Sequence, residues 1–115
     1  MRHFVFHLAL ALVFATGAAA ADPDGARLYA ERCSGCHGDD GKGDGPAAAA
    51  LMPRPRNLRD AGFWQGRTLE QIRGVVAKGK PGTMMPPFAG TLSDAEMDTV
   101  ARWVLHFDPA RTDPK

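Results

Sequence analysis

The 115-residue sequence predicts an all-α domain of about three main helices. Three observations carry that prediction. Apolar residues recur at helical spacing in three separate stretches, two long glycine- and proline-rich loops divide those stretches, and no segment alternates apolar and polar residues as a half-buried strand would. The loops "GDDGKGDGP", "MPRPRN" and "GKPGTMMPPFAG" resist regular structure and contribute little apolar burial. A small domain built this way has little stability to spare, so something besides side chains has to fill its middle.

Ahead of the helices, residues 1–21, "MRHFVFHLALALVFATGAAAA", read as a secretory signal peptide: Arg2 is the positive start, Phe4 to Ala15 the apolar run, and Ala18 to Ala21 the small-residue cleavage region. The run is too short for a membrane anchor, which needs about 20 apolar residues. The expected organisation is therefore a signal peptide over 1–21, one domain over 22–108 and a tail over 109–115. Without Arg2 the exported part carries 13 Lys+Arg against 13 Asp+Glu, a balance that points neither to nucleic acid nor to a membrane surface.

The first helix is expected from Asp22-Pro23 to about Cys33, an N-cap acid followed by the residue best suited to the first helical position. Gly25, Tyr29 and Cys33 fall on one line at i, i+4 spacing, so this helix delivers the cysteine into the fold. The second is expected from Leu69 to Lys78. Thr68 and Gln71 form a capping box, Leu69, Ile72, Val75 and Val76 make the apolar stripe, and Gly79 ends it. The third starts at the capping box Ser93-Asp94-Ala95-Glu96 and extends to about Phe107, with Met97, Val100, Ala101 and Val104 facing the core. Gly25 is placed to admit a close helix neighbour, and Tyr29 and Trp103 are the expected packed pair between the terminal helices.

Cys33-Ser34-Gly35-Cys36-His37 carries the chemistry. A redox-active C-x-x-C disulfide would follow a strand in an α/β fold, and no strand precedes Cys33. A structural zinc site needs four ligands, and beyond these three the chain offers only the distant His106. Cys-x-x-Cys-His is instead the attachment signature for c-type haem. The thiols stand about one turn apart, placed to form thioethers with the two vinyl groups, and His37 directs its imidazole at the iron. A covalently tied macrocycle also supplies the missing core.

The opposite axial position falls to "GTMMPPFAG", residues 82–90. A thioether ligand there raises the reduction potential and favours electron transfer over small-molecule binding. Extended neighbours point in opposite directions, so only one of Met84 and Met85 faces the iron. Pro86 biases Met85 towards an extended conformation, and Pro87 stiffens the loop beyond it. Met85 is thus the expected ligand and Met84 the alternative. Met52 is expected at the haem or the surface, Met97 in the core, and His106 at a helix end facing solvent.

In the order "CSGCHG", "GKGDGP", "PRPRNL", "MMPPF" and "LSDAEMDTVARWV", the chain resembles class I cytochromes c of the small bacterial, periplasmic, monohaem type over residues 24–107. The resemblance implies a cytochrome c-like fold around one haem c, with His37 as proximal and Met85 as distal ligand. It also implies a proline carbonyl accepting a hydrogen bond from the free imidazole nitrogen. Pro46 is the expected acceptor, and Pro55 is placed against the haem. Arg54 or Arg56 is expected to pair a haem propionate, with plain solvent exposure the alternative. The expected function is periplasmic single-electron transfer between redox protein partners, with no catalysis and no stable membrane insertion, by a monomer or a subunit of a redox complex. The rival readings are a haem subunit of a larger periplasmic oxidoreductase and a five-coordinate haem protein that binds a gas or turns over peroxide.

Overall fold

Pro23, whose missing N–H falls where a helix needs no donor, opens helix α1 (Pro23–Arg32) of the computed structural model, which describes residues 23–111. The expected signal peptide, the Asp22 cap and the end of the tail lie outside the described residues. Cys33 leaves helical geometry at φ −122° while its N–H still bonds the Tyr29 carbonyl at 2.9 Å. The chain then winds once more as α2 (Ser34–His37), so the helix expected to run into Cys33 ends one residue short and re-forms as a separate turn.

A short 3₁₀ turn (Ala48–Ala50) and helix α3 (Ala61–Trp64) interrupt the long loop. Asp60 starts α3, its carboxylate accepting from the Gly62 N–H at 3.0 Å. Helices α4 (Leu69–Lys78) and α5 (Asp94–Val104) form where expected, and both capping boxes are made in full. A 3₁₀ turn (Leu105–Phe107) prolongs α5 to the expected end. Among the described residues there is no strand, only an isolated bridge between Ala89 and Leu92.

α5 is the centre of the packing, with α1 on one side and α4 on another. The α1–α5 crossing is close because Gly25 has no side chain: a Cβ there would sit 2.7 Å from the Trp103 Cβ. The Tyr29 and Trp103 rings pack tilted by 34° with centroids 4.7 Å apart, as expected, and Phe107 meets both at 5.1 and 5.2 Å. Buried Tyr29 also donates its hydroxyl to the Gly38 carbonyl at 2.7 Å, tying the helix core to the loop that follows α2. Ile72 and Val76 of α4 join Met97, Val100, Ala101 and Val104 of α5 in the same buried cluster. Outside that seam Arg73 pairs with Asp94 and Asp98, an exposed arrangement that adds little to stability.

Candidate functional site

α2 is a single turn, too short to satisfy its own last carbonyls. The loop behind it does so: Ala47 N–H bonds the Gly35 carbonyl at 2.9 Å, Gly45 N–H the Cys36 carbonyl at 3.1 Å, and Gly43 N–H the His37 carbonyl at 2.7 Å. Glycine is needed at two of these points. A Cβ on Gly45 would lie 2.4 Å from the Gly35 oxygen, and one on Gly43, at φ +77°, 2.5 Å from the Pro55 oxygen. The glycine loop therefore wraps the Cys-x-x-Cys-His turn and holds the 53–57 segment against it.

Within that wrapping Cys33, Cys36 and His37 are half-buried, and both cysteines are free thiols. Burial, with Cys36 adding to it, pushes the Cys33 thiol up to about 11, away from the thiolate form that disulfide exchange requires. The imidazole of His37 sets its Nδ1 3.2 Å from the carbonyl oxygen of Arg56. Burial lowers the ring's pKa, and the bond to Arg56 works in the opposite direction, leaving the neutral form at pH 7. A neutral ring whose Nδ1–H is donated to a carbonyl presents Nε2 as its remaining donor atom, the form in which histidine binds a metal.

One expectation needs correction here. Pro46 is not the residue whose carbonyl meets the imidazole; Arg56 is. The reason is local: Pro46 sits in the turn that caps α2, next to Gly45, whereas the segment containing Pro55 and Arg56 is the one that reaches across Gly43 to the ring. Pro55 is half-buried beside it, and Pro46 is exposed. The guanidinium of Arg56 lies 5.7 Å from the centre of the Phe63 ring, and Arg54 is exposed.

The methionine loop folds back on the end of α4. Phe88 and Ala89 donate to the carbonyls of Val76 and Ala77 at 3.0 and 3.1 Å, which the helix itself leaves unmatched. Lys80 N–H bonds the Met85 carbonyl at 3.2 Å, and Met85 N–H bonds the Thr83 hydroxyl at 3.2 Å. Gly79, at φ +67°, makes room: a Cβ would stand 2.7 Å from both the Met85 oxygen and the Pro87 nitrogen. The neighbouring methionines part company as extended geometry requires. Met85 is half-buried and Met84 is 67% exposed, and both line a groove of about 360 Å³ bordered by Lys78 and Lys80. Met52 is 86% exposed and Met97 3% exposed. His106 is exposed at the end of α5, with its Nδ1 2.7 Å from the Trp103 carbonyl.

This donor set fits a covalently held haem. Two unpaired thiols stand in one turn, a neutral imidazole adjoins them, and a half-buried thioether sits in a second loop. Apolar side chains at the edge of the core, Cys33, Leu69, Ala77 and Phe88 with Trp103 and Leu105, remain partly exposed. Among the described residues no three His, Cys, Asp or Glu side chains gather as a protein-only metal site requires. Sequence reasoning missed Phe63 and Trp64, both buried, and the part they play in anchoring the segment beside His37. Asp60, an N-cap residue directly before "AGFW", was the available signal.

Comparison with known proteins agrees with this geometry. The family model for cytochrome c matches residues 23–108. The chain is 34% identical to cytochrome c55X of Paracoccus denitrificans, covering 87% of this chain and 90% of that protein. It is 32% identical to dihydro-heme d1 dehydrogenase of Pseudomonas aeruginosa over 89% of this chain, yet spans only 19% of that enzyme's length. Among solved structures it resembles a chain of the Kuenenia stuttgartiensis reducing HAO-like protein complex Kustc0457/Kustc0458, with a TM-score of 0.66 and 25% identity, covering 76% of this chain and 43% of that one.

Proposed function

The chain belongs to the cytochrome c family, and on that premise we propose that it is a periplasmic single-electron carrier with one haem c held between His37 and Met85. Cys33 and Cys36 are the thioether positions. Bound haem c supplies a ferrous/ferric couple, and the residues of this chain decide how that couple is held and what reaches it. His37 is the proximal ligand through Nε2, with its Nδ1 proton given to the Arg56 carbonyl. Met85 is the distal ligand, carried on a loop braced by Thr83, Lys80 and the end of α4. A filled distal position keeps gases and peroxide off the iron. Arg54 and Arg56, both exposed, are candidate propionate partners, and Pro46 and Pro55 are candidate contacts in the loop that encloses the proximal side.

The single observation that carries this reading is the proximal arrangement: free thiols and a tautomer-fixed imidazole in one wrapped turn. Export to the periplasm is supported by the character of residues 1–21, and no described helix is long and apolar enough to cross a membrane. The test is the mass and spectrum of the exported holoprotein. One haem's mass that survives denaturation, a low-spin ferric iron and no carbon monoxide adduct are expected. A polypeptide of amino-acid mass alone ends the proposal, and a high-spin iron that takes up carbon monoxide replaces it with the gas-binding or peroxidatic reading.

A second reading, a haem module serving a larger oxidoreductase, is favoured by the coverage: the matching regions are fractions of a dehydrogenase and of a chain in a multiprotein complex. Gel filtration of the native periplasmic extract separates a free carrier of about its own size from a subunit that elutes with a partner.

A further inference from the structure

Resting on the assignment of His37 as an iron ligand, we propose that Arg56 is the positioning residue for its imidazole. Its backbone carbonyl orients the ring, and its guanidinium, laid on the face of Phe63, holds that carbonyl in place. Members of the family that the chain resembles use a proline carbonyl for the equivalent bond, and a proline ring restricts its own backbone. Arg56 has no such restriction, so the bond at 3.2 Å needs anchors from elsewhere.

The structure supplies them on both sides of the residue. Before it, the Pro55 and Arg56 carbonyls rest against Gly43 so closely that a Cβ there would come within 2.5 and 3.2 Å of them. After it, Leu58 N–H bonds the Gly41 carbonyl at 2.7 Å, and Arg59 Nε donates to the Asp40 carbonyl at 2.7 Å. Trp64 Nε1 then donates to the Leu58 carbonyl at 2.7 Å, fixing α3 and with it Phe63. Phe63 is buried and further secured by Arg67, whose Cζ lies 4.3 Å from the ring centre and whose Nε donates to the Phe63 carbonyl at 2.6 Å. Arg56 is the one residue that touches both ends of this chain of contacts, with its carbonyl at the imidazole and its guanidinium 5.7 Å from the Phe63 centroid. An exposed arginine that reads as a simple surface cation thus acts through its main chain on the proximal ligand.

The experiment follows the His37 Nδ1 proton by NMR in the labelled holoprotein, together with the reduction potential. In Arg56→Gln and Phe63→Leu that proton exchanges with solvent about two- to fivefold faster, the factor an exposed cation–π contact is worth. Phe63→Leu removes no charge, so its potential rises: a looser Nδ1–H bond makes the imidazole a poorer donor to ferric iron. Lys42→Gln removes a cation from the facing loop and leaves exchange at the parent rate. Equal exchange in Arg56→Gln and the parent, or the same change in Lys42→Gln, overturns the role of Arg56. Should Phe63→Leu not fold, Arg56→Gln decides alone, since its side chain is exposed. A parent protein with no hyperfine-shifted His37 signal overturns the ligand assignment itself, whereas shifted signals with unmoved exchange overturn only the positioning role.

Discussion

At the scale of single residues the two methionines are the sharpest contrast. They are adjacent in sequence, yet Met84 is 67% exposed and Met85 is half-buried in a loop braced by Thr83 and Lys80. The distal-ligand assignment therefore predicts that Met85→Ala abolishes the weak near-red absorption band of methionine-bound ferric haem and leaves a high-spin fraction. Met84→Ala retains the band. The ferric absorption spectrum of each holoprotein checks this, and the reverse pattern would assign Met84. That Cys33, Cys36 and His37 gather in one turn was readable from spacing alone, because five consecutive positions cannot lie far apart. The carbonyl opposite His37 was not readable. Every residue has a carbonyl, so its position, not its identity, decides which one the imidazole meets.

At the scale of elements, local signals worked where a helix carries its own stop and start. Both capping boxes formed as predicted, and Ser93→Ala should cost about 1 kcal/mol in thermal or denaturant melts of the holoprotein. The Ser93 backbone and side chain hold the Glu96 carboxylate below its ordinary range. A carboxylate depressed in the folded state stabilises above its unfolded pKa and loses that contribution as pH falls through the folded value. The parent should thus be more stable than Glu96→Gln at neutral pH, with the gap closing in acid as melting temperatures are followed against pH.

Two glycines make stronger demands on their elements. Gly25→Ala places a methyl against the Trp103 Cβ and should destabilise by roughly 1–3 kcal/mol, the range for overpacking a close contact. Gly79→Ala meets both a positive φ and the Met85 carbonyl, so it should push the methionine loop off the end of α4. The readout is a weakened methionine band with the helix content of the parent. α2 and α3 escaped the sequence reading because four residues are too few to show a period, and α2 is tied by bonds from the 43–47 loop.

For the whole molecule, the helices meet in a core around α5 that also takes in Leu58, Phe63, Trp64 and Leu92 of the long loops, and backbone hydrogen bonds hold much of the rest of those loops. Cys33, Cys36 and His37 would hold haem c at the Cys-x-x-Cys-His turn, where it would add apolar contact between those loops and the core. The prediction is that Cys33→Ala/Cys36→Ala, exported without covalent haem, loses most of its helical circular dichroism and melts without a cooperative transition. Native-level helix and a sharp melt in that variant would show that the polypeptide folds unaided.

By itself the sequence determined the helical class, the three long helices, the capping boxes of α4 and α5, the Cys-x-x-Cys-His turn and the Tyr29–Trp103 contact, since each depends on residues a few positions apart or on a side chain of unmistakable size. Only the tertiary structure decided that Arg56 rather than Pro46 faces the imidazole, and that Phe63 and Trp64 anchor the intervening loop. Those outcomes depend on how loops far apart in the chain come to lie against each other, and their backbone atoms carry no residue-specific mark by which that meeting could be foreseen.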